Sequence, residues 1–480
     1  MGAENNESRQ TALSELRQVL DGRLSTSEAV REQHGHDESW HPGVLPDAVA
    51  FAQSTEEISE ILRICHRHGM PVIPFGAGTS YEGHLIPTDG GISLDVSGMN
   101  EILQVNAEDM DVVVQPGVRR KQLNAWLADT GLFFPVDPGA DATLGGMCAT
   151  RASGTNAVRY RAMSENVLAL TVVLADGRII KTGSRARKSA AGYDLTRLFI
   201  GSEGTLGVIT EITLRLYGRP EAMASAVCSF ETLEGAVNTA IQTIQMGIPI
   251  ARVELLDEVM MGATIRYSKL DLPERPTLFL EFHGSTQAVA EQAEEVAALA
   301  QDNGGGEFRW TTLEEERSAL WQARHDCAYA CKALRPGCEN WATDVCVPPS
   351  RLTEIISYIR GVAENSFVPA PILGHVGDGN FHMVFVIDPA NREELVEAER
   401  INDLLVAKAL EMGGTCTGEH GIGLGKMAFL EMEQGEGVEV MRTIKQALDP
   451  KNIMNPGKIF NFQAGTVHQH GKPSLAGGSV

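Results

Sequence analysis

The chain of 480 residues is long enough for two or three domains, and with 43% hydrophobic and 21% charged residues it can bury sizeable cores. Its 40 Lys and Arg against 63 Asp and Glu leave a net charge of −23, which excludes a general nucleic-acid binder and simple attraction to an anionic membrane surface, because both need clustered positive charge. No apolar run reaches the roughly 18 residues of a spanning helix. The opening MGAENNESRQ is polar and acidic, unlike a secretory signal or an Arg-rich mitochondrial presequence, so a cytoplasmic, bacterial protein is expected. Cysteines 65, 148, 228, 327, 331, 338, 346 and 416 form no CxxC pair. Zinc ribbons and ferredoxin-type clusters are therefore unsupported, and reduced thiols are expected.

In chain order, a helical entry is predicted over 10–36, where TALSELRQVL spaces its apolar residues at helical period. STEEISEILRICHRHG follows as an amphipathic helix with Ser54 or Thr55 as cap, acids in its first turn and Gly69 as its stop. MPVIPFGAGTS reads as a buried strand running into a glycine-rich loop, GGISLDVSGM and DVVVQPGV as strands, and RKQLNAWLADTG as a helix. Residues 1–41 thus form an N-terminal helical segment, and 42–220 an α+β unit. From 221 the amphipathic helices ETLEGAVNTAIQTIQMG and TQAVAEQAEEVAALAQDNGGG flank the strand PTLFLEFHG, the pattern of a second α+β domain over 221–462. EVMRTIKQAL is a helix that stops before Asp449-Pro450, and the polar, glycine-rich tail 463–480 is expected to be disordered.

Three glycine-rich stretches carry the first chemistry. Pro74-Phe75-Gly76-Ala77-Gly78-Thr79-Ser80 ends a strand in small residues whose free N–H groups can line a concavity suited to pyrophosphate. It is not a Rossmann fingerprint, because Tyr81 stands where the third glycine belongs, and no Gly-Lys-Ser/Thr makes it a P-loop. The second runs over Pro138, Gly139, Thr143, Gly145 and Gly146 and continues through Ser153, Gly154, Thr155 and Asn156. The third holds Glu203, Gly204, Gly207, Val208 and Ile209. Any one stretch is explained by a tight turn. Three together offer a long polyanionic cofactor an extended path beside backbone.

PFGAGTS, DPGADATLGG and GSEGTLGVIT, with NPGKIF at 455–460, resemble the vanillyl-alcohol-oxidase (PCMH-type) FAD-binding family over roughly residues 42–462, and within it the D-2-hydroxyacid dehydrogenases. The resemblance implies an α+β fold: a PCMH-type FAD-binding domain and a second α+β substrate, or cap, domain with an antiparallel sheet. Its last helix and Asn455 return to the FAD domain. Some members attach FAD through a His in a Gly-Gly-His-Ser turn. Here Gly78-Thr79-Ser80 puts Thr at that place, so non-covalent FAD is expected.

His375, His382 and Glu419 compose a donor set for a divalent metal, Zn or Mn, though each His alone is more often a surface or satisfied core residue than a ligand. Seven residues apart, the two imidazoles would face opposite sides of one regular strand. The Gly377-Asp378-Gly379-Asn380 turn must break the strand to unite them. The resemblance implies a cation beside the flavin, His420 as the base, and Arg324 as the partner of a substrate carboxylate, with a structural ion pair as the alternative for Arg324. Asn380 is expected in the metal shell or at the substrate. Relatives that take a dicarboxylate carry a Lys where Ala342 stands. The expected activity is therefore oxidation of a small D-2-hydroxyacid, D-lactate to pyruvate, with electrons passed to an external cytochrome c or quinone. The FAD subunit of a multi-subunit glycolate oxidase and a D-2-hydroxyglutarate dehydrogenase are the alternatives. A homodimer and peripheral contact with the inner membrane are compatible with that reading.

Overall fold

A computed structural model describes residues 2–462; the tail expected to be disordered lies outside them. The first sheet has the strand order Leu24–Ser25, Ala48–Phe51, Ile92–Asp95, Val72–Phe75, with the last three parallel. The helix Thr55–His68 is the crossover from Ala48–Phe51 to Val72–Phe75, the two parallel strands on either side of Ile92–Asp95. The Ser54 side chain accepts from Glu57 N, Gly69 closes the helix at φ 63°, and Ile58, Ile61, Leu62 and Cys65 face the core. The helical entry is instead two helices, Gly2–Leu20 and Glu28–Gln33, and between them lies a two-residue strand that pairs with Ala48–Phe51. So short a strand has no hydrophobic period by which a sequence could announce it.

A second sheet, all antiparallel, orders Ile102–Asn106, Asp111–Val114, Val208–Arg215, Val167–Val173 and Ile179–Lys181. The third and largest is also antiparallel and runs Arg309–Thr311, Ala222–Ser229, Thr277–Gly284, Ile250–Leu256, Ile372–Gly374, Asn380–Ile387, Glu339–Ala342. The fold is thus α+β.

The third sheet decides where the polar residues go. Successive strand residues alternate faces. Leu278, Leu280 and Phe282, with Val253, Leu255, Phe381 and Met383, join one buried core that includes the helices Leu233–Gln245, Thr286–Asp302, Leu352–Ala363 and Arg392–Glu411. Phe279, Leu256, Leu373, Val384 and Val386 belong to a separate core on the opposite face, with Trp321 and Cys331. Arg252, Glu254, Glu281, His283 and His382 alternate onto that second face. There Tyr160 from the first half meets His283 at 2.8 Å, and Arg252 reaches Asn156 and Asp137 at 2.8 and 3.2 Å, joining the two halves. All eight cysteines are unpaired.

Candidate active site

The Ile372–Gly374 and Asn380–Ile387 strands form a hairpin in which Leu373 stands opposite His382. Cross-strand partners share a face, so this register brings His375 and His382 to one side. The turn permits it because Gly379 has φ +81°, and a Cβ there would lie 2.1 Å from Val347 O.

His375 Nε2 and His382 Nε2 lie 3.2 and 3.3 Å from the same oxygen, Glu419 Oε1. Their Nδ1 atoms face acceptors, Glu254 Oε1 at 2.7 Å and Thr343 O at 2.8 Å. An Nδ1–H donated to each acceptor leaves a lone pair on each Nε2. Two lone pairs and a carboxylate oxygen can then converge on one point, a donor set of the kind that holds a divalent cation. The donor atoms lie within 4.8 Å of one another. Burial opposes charge on His375, but Glu254 and Glu419 overcome it and hold the ring well above its ordinary pKa.

His420 stacks on His382 at 4.9 Å and 11°, and Tyr81 stacks on its other side at 5.1 Å. Burial pushes its pKa down to about 4, helped by His382 and Lys426 and opposed by Asp344. It is therefore neutral at physiological pH, and its Nδ1 has no hydrogen-bond partner.

Sequence reasoning passed over the group that holds this turn. Asp344, 1% exposed, accepts through Oδ2 from Thr417 Oγ1 (2.7 Å), Glu419 N (2.9 Å) and His420 N (2.8 Å), and through Oδ1 from Asn380 Nδ2 (2.9 Å). Lys426 Nζ stands 3.5 Å from Asp344 and 2.9 Å from Glu82. Glu254 was also missed. Its sequence signal is an acid that alternates with Arg252 in the strand Ile250–Leu256; it is 1% exposed, a placement that burial tolerates only with partners.

Arg324, 8% exposed, directs Nε and Nη2 onto Glu254 Oε2 at 3.1 and 2.6 Å, the ion-pair alternative. Asn380 donates Nδ2 to Asp344 and to Val345 O, which places it behind the Glu419–His420 turn.

The three glycine-rich stretches converge on a single cleft of about 1240 Å³, open solvent at its mouth included. It is lined by Phe75 to Ser80, by Pro138, Gly139, Thr143, Gly145, Gly146 and Ser153, and by Glu203, Gly204, Gly207, Val208 and Ile209. Glu419 and His420 line the same cleft. Gly139 has nothing within 4 Å of its Cβ position, whereas a Cβ on Gly76 would lie 2.4 Å from Thr143 Oγ1. Backbone is thus exposed to the cleft, as a pyrophosphate requires. Gly154, Thr155, Asn156 and Asn455 do not line it. Thr155 and Asn156 bind Asp137, and Asn455 ties His84 O to Glu203 O, at 3.0 and 2.7 Å.

The family described as FAD linked oxidases, C-terminal domain, matches residues 219–459, and the FAD binding domain matches 46–183. "Probable D-lactate dehydrogenase, mitochondrial" of Danio rerio is 53% identical over 95% of this chain and 93% of its own length. "D-lactate dehydrogenase [cytochrome], mitochondrial" of Arabidopsis thaliana is 48% identical over 93% of this chain and 80% of its own. The solved 4-ethylphenol oxidase from Gulosibacter chungangensis superposes with a TM-score of 0.79 at 20% identity, covering 95% of this chain and 98% of its own, and so shares the fold. The mitochondrial names of these relatives overturn the expected cytoplasmic location. That expectation rested on the lack of an address signal in the opening segment, and such a lack does not decide compartment. With both halves matched and such identity carried along nearly its whole length, the chain belongs to the FAD-linked oxidase family.

Proposed function

We propose that the protein is an FAD- and divalent-metal-dependent dehydrogenase that oxidises D-lactate to pyruvate and passes the electrons to an external carrier such as a cytochrome. The observation that carries this reading is the convergence of His375, His382 and Glu419 on one point beside neutral His420, in the cleft that the three glycine-rich stretches line. The names of the Danio rerio and Arabidopsis thaliana relatives support the substrate, and the second supports the carrier.

In this reading residues 42–220 hold the cofactor and 221–462 supply the substrate side. The lining residues of the three stretches would hold FAD non-covalently, and bound FAD would supply the acceptor for the hydride leaving C2 of the substrate. A zinc or manganese ion on His375, His382 and Glu419 would lower the pKa of the substrate hydroxyl. His420 takes the hydroxyl proton as the C2–H bond breaks and the C2–O bond becomes a carbonyl. Tyr81 and His382 confine the His420 ring from both sides. Asp344 fixes the turn that carries Glu419 and His420. Glu254 and Thr343 set the tautomers of the two imidazoles. Arg324 acts through Glu254, and a substrate carboxylate would meet the remaining Nη1 edge of its guanidinium. Ala342 packs among apolar neighbours and provides no second cation, which favours a monocarboxylate over 2-hydroxyglutarate.

The test mixes anaerobic purified protein with D-lactate, L-lactate, glycolate and D-2-hydroxyglutarate and follows flavin bleaching, before and after treatment with a chelator. Fast bleaching with D-lactate, lost on chelation and restored by zinc or manganese, is expected. Bound FAD that D-lactate leaves oxidised would refute the reading, and bleaching by glycolate alone would replace it with the glycolate oxidase subunit.

A further inference from the structure

His84 is 2% exposed, yet neither of its ring nitrogens has a hydrogen-bond partner. It lines the cofactor cleft together with Glu203. Its Nε2 lies 3.3 Å from Glu203 Oε2, an ion-pair contact outside hydrogen-bonding geometry. Nδ1 has no partner of either kind; a buried imidazole nitrogen left so carries a desolvation cost, and such groups in native proteins commonly serve a ligand.

The surroundings fix this ring rigidly. Asn455 Nδ2 donates to both His84 O and Glu203 O. Glu203 accepts from Ile422 N at 2.7 Å and Gly423 N at 2.8 Å. A Cβ at Gly421 would lie 2.8 Å from His84 Nε2 and 2.7 Å from Glu203 Oε1. The pair therefore packs against the turn that carries His420. Since His420 must meet the substrate at the reacting edge of the flavin, His84 stands at the ring end of the cleft rather than at the pyrophosphate end.

We propose that His84, backed by Glu203, donates a ring N–H to the flavin ring and stabilises the negative charge that the ring gains on two-electron reduction. This rests on the reading that the cleft holds FAD. The charges that bias the ring point the same way: burial opposes a proton on His84, but Glu203, Asp37 and Glu82 overcome it and raise its pKa. Glu203 stays ionised despite burial, because His84 and the N–H groups of Ile422 and Gly423 hold its pKa down. A cationic donor at the ring favours the reduced over the oxidised flavin, so it raises the potential at which the enzyme accepts electrons from a 2-hydroxyacid.

The test measures the flavin midpoint potential by dye equilibration in the FAD-loaded wild type, His84→Gln and His84→Leu, together with the affinity of each for sulfite, which adds to flavin and leaves negative charge on the ring. His84→Leu is expected to weaken reduced over oxidised flavin at least tenfold, about 30 mV for a two-electron couple, and to weaken sulfite binding at least tenfold. His84→Gln, which keeps a donor without the charge, falls between. If His84→Leu cannot hold FAD, His84→Gln decides alone. Potential and sulfite affinity within twofold of wild type in the FAD-loaded variant overturn the proposal. Wild-type protein that binds no FAD would instead overturn the functional reading on which it rests.

Discussion

Asp344→Asn is the most informative perturbation, because the replacement keeps the shape and removes only the charge and one acceptor. Asp344 Oδ2 faces three donors and Oδ1 faces a fourth. An amide can turn its oxygen toward only one of these sets, so its NH₂ must face at least one donor whichever way it sits. One unsatisfied buried donor costs about 1–3 kcal/mol. Each of the three remaining bonds falls from charge-assisted to neutral, a loss of about 1 kcal/mol apiece. Lys426 also keeps only Glu82 of its two carboxylates. The sum is about 4–6 kcal/mol against the order of the 417–423 turn, comparable with the whole stability of a typical domain at about 5–15 kcal/mol. Hydrogen exchange should show the amides of Glu419 and His420 losing protection, and zinc affinity should fall about 10–100-fold, as for other lost outer-shell partners. A variant with unchanged protection at those amides and zinc affinity within twofold of wild type would falsify the claim that Asp344 holds the site together.

Three further outcomes are expected. His420→Ala should slow flavin reduction by D-lactate about 10²–10⁴-fold while retaining FAD and metal; stopped-flow bleaching checks it, and an unchanged rate removes His420 as the base. Gly76→Ala drives a Cβ to 2.4 Å from Thr143 Oγ1, the group that caps the Leu144–Thr150 helix. FAD should then elute from the variant during gel filtration, with about 1 kcal/mol lost from the cap, and full retention would count against the cradle. Glu281 is held at about 2 although burial opposes its charge, because Arg252, His283 and Ser225 surround it. Its contribution is therefore complete above its ordinary pKa of 4.5 and is lost as pH falls from there toward 2, about 3 kcal/mol in all. Urea unfolding should show the gap between wild type and Glu281→Gln closing across that window, and a pH-independent gap would refute the assignment.

Much of this architecture was written locally. The helix Thr55–His68 starts and stops where Ser54 and Gly69 place it, since a cap side chain and a left-handed glycine act within a few residues. Of the third sheet only the strand PTLFLEFHG was read from the sequence, because its neighbours are buried on both faces and lack a period-two signal; in the folded sheet the alternation of strand residues puts Glu254 and His382 on one face. The three glycine-rich stretches were legible because backbone exposed to a ligand demands small residues at short range. His375, His382 and Glu419 were offered as donors by residue type and by the glycines around them, and His420 was offered as the base by the family resemblance.

The sequence alone determined which side chains could carry the chemistry and which segments could approach a cofactor. Only the tertiary structure decided their company. Leu373 opposite His382 made two imidazoles seven residues apart neighbours. Asp344, Glu254 and Lys426 took their roles from partners between 36 and 121 positions away for the carboxylates and more than 300 away for Lys426 with Glu82. Arg324 could have met a substrate or another acid, and the strand next to it supplied Glu254. The physical reason is range: caps, turns and alternation are set by neighbours along the chain. A buried charge is stabilised by whichever opposite charge the packed sheets bring to it, and no local pattern records that pairing.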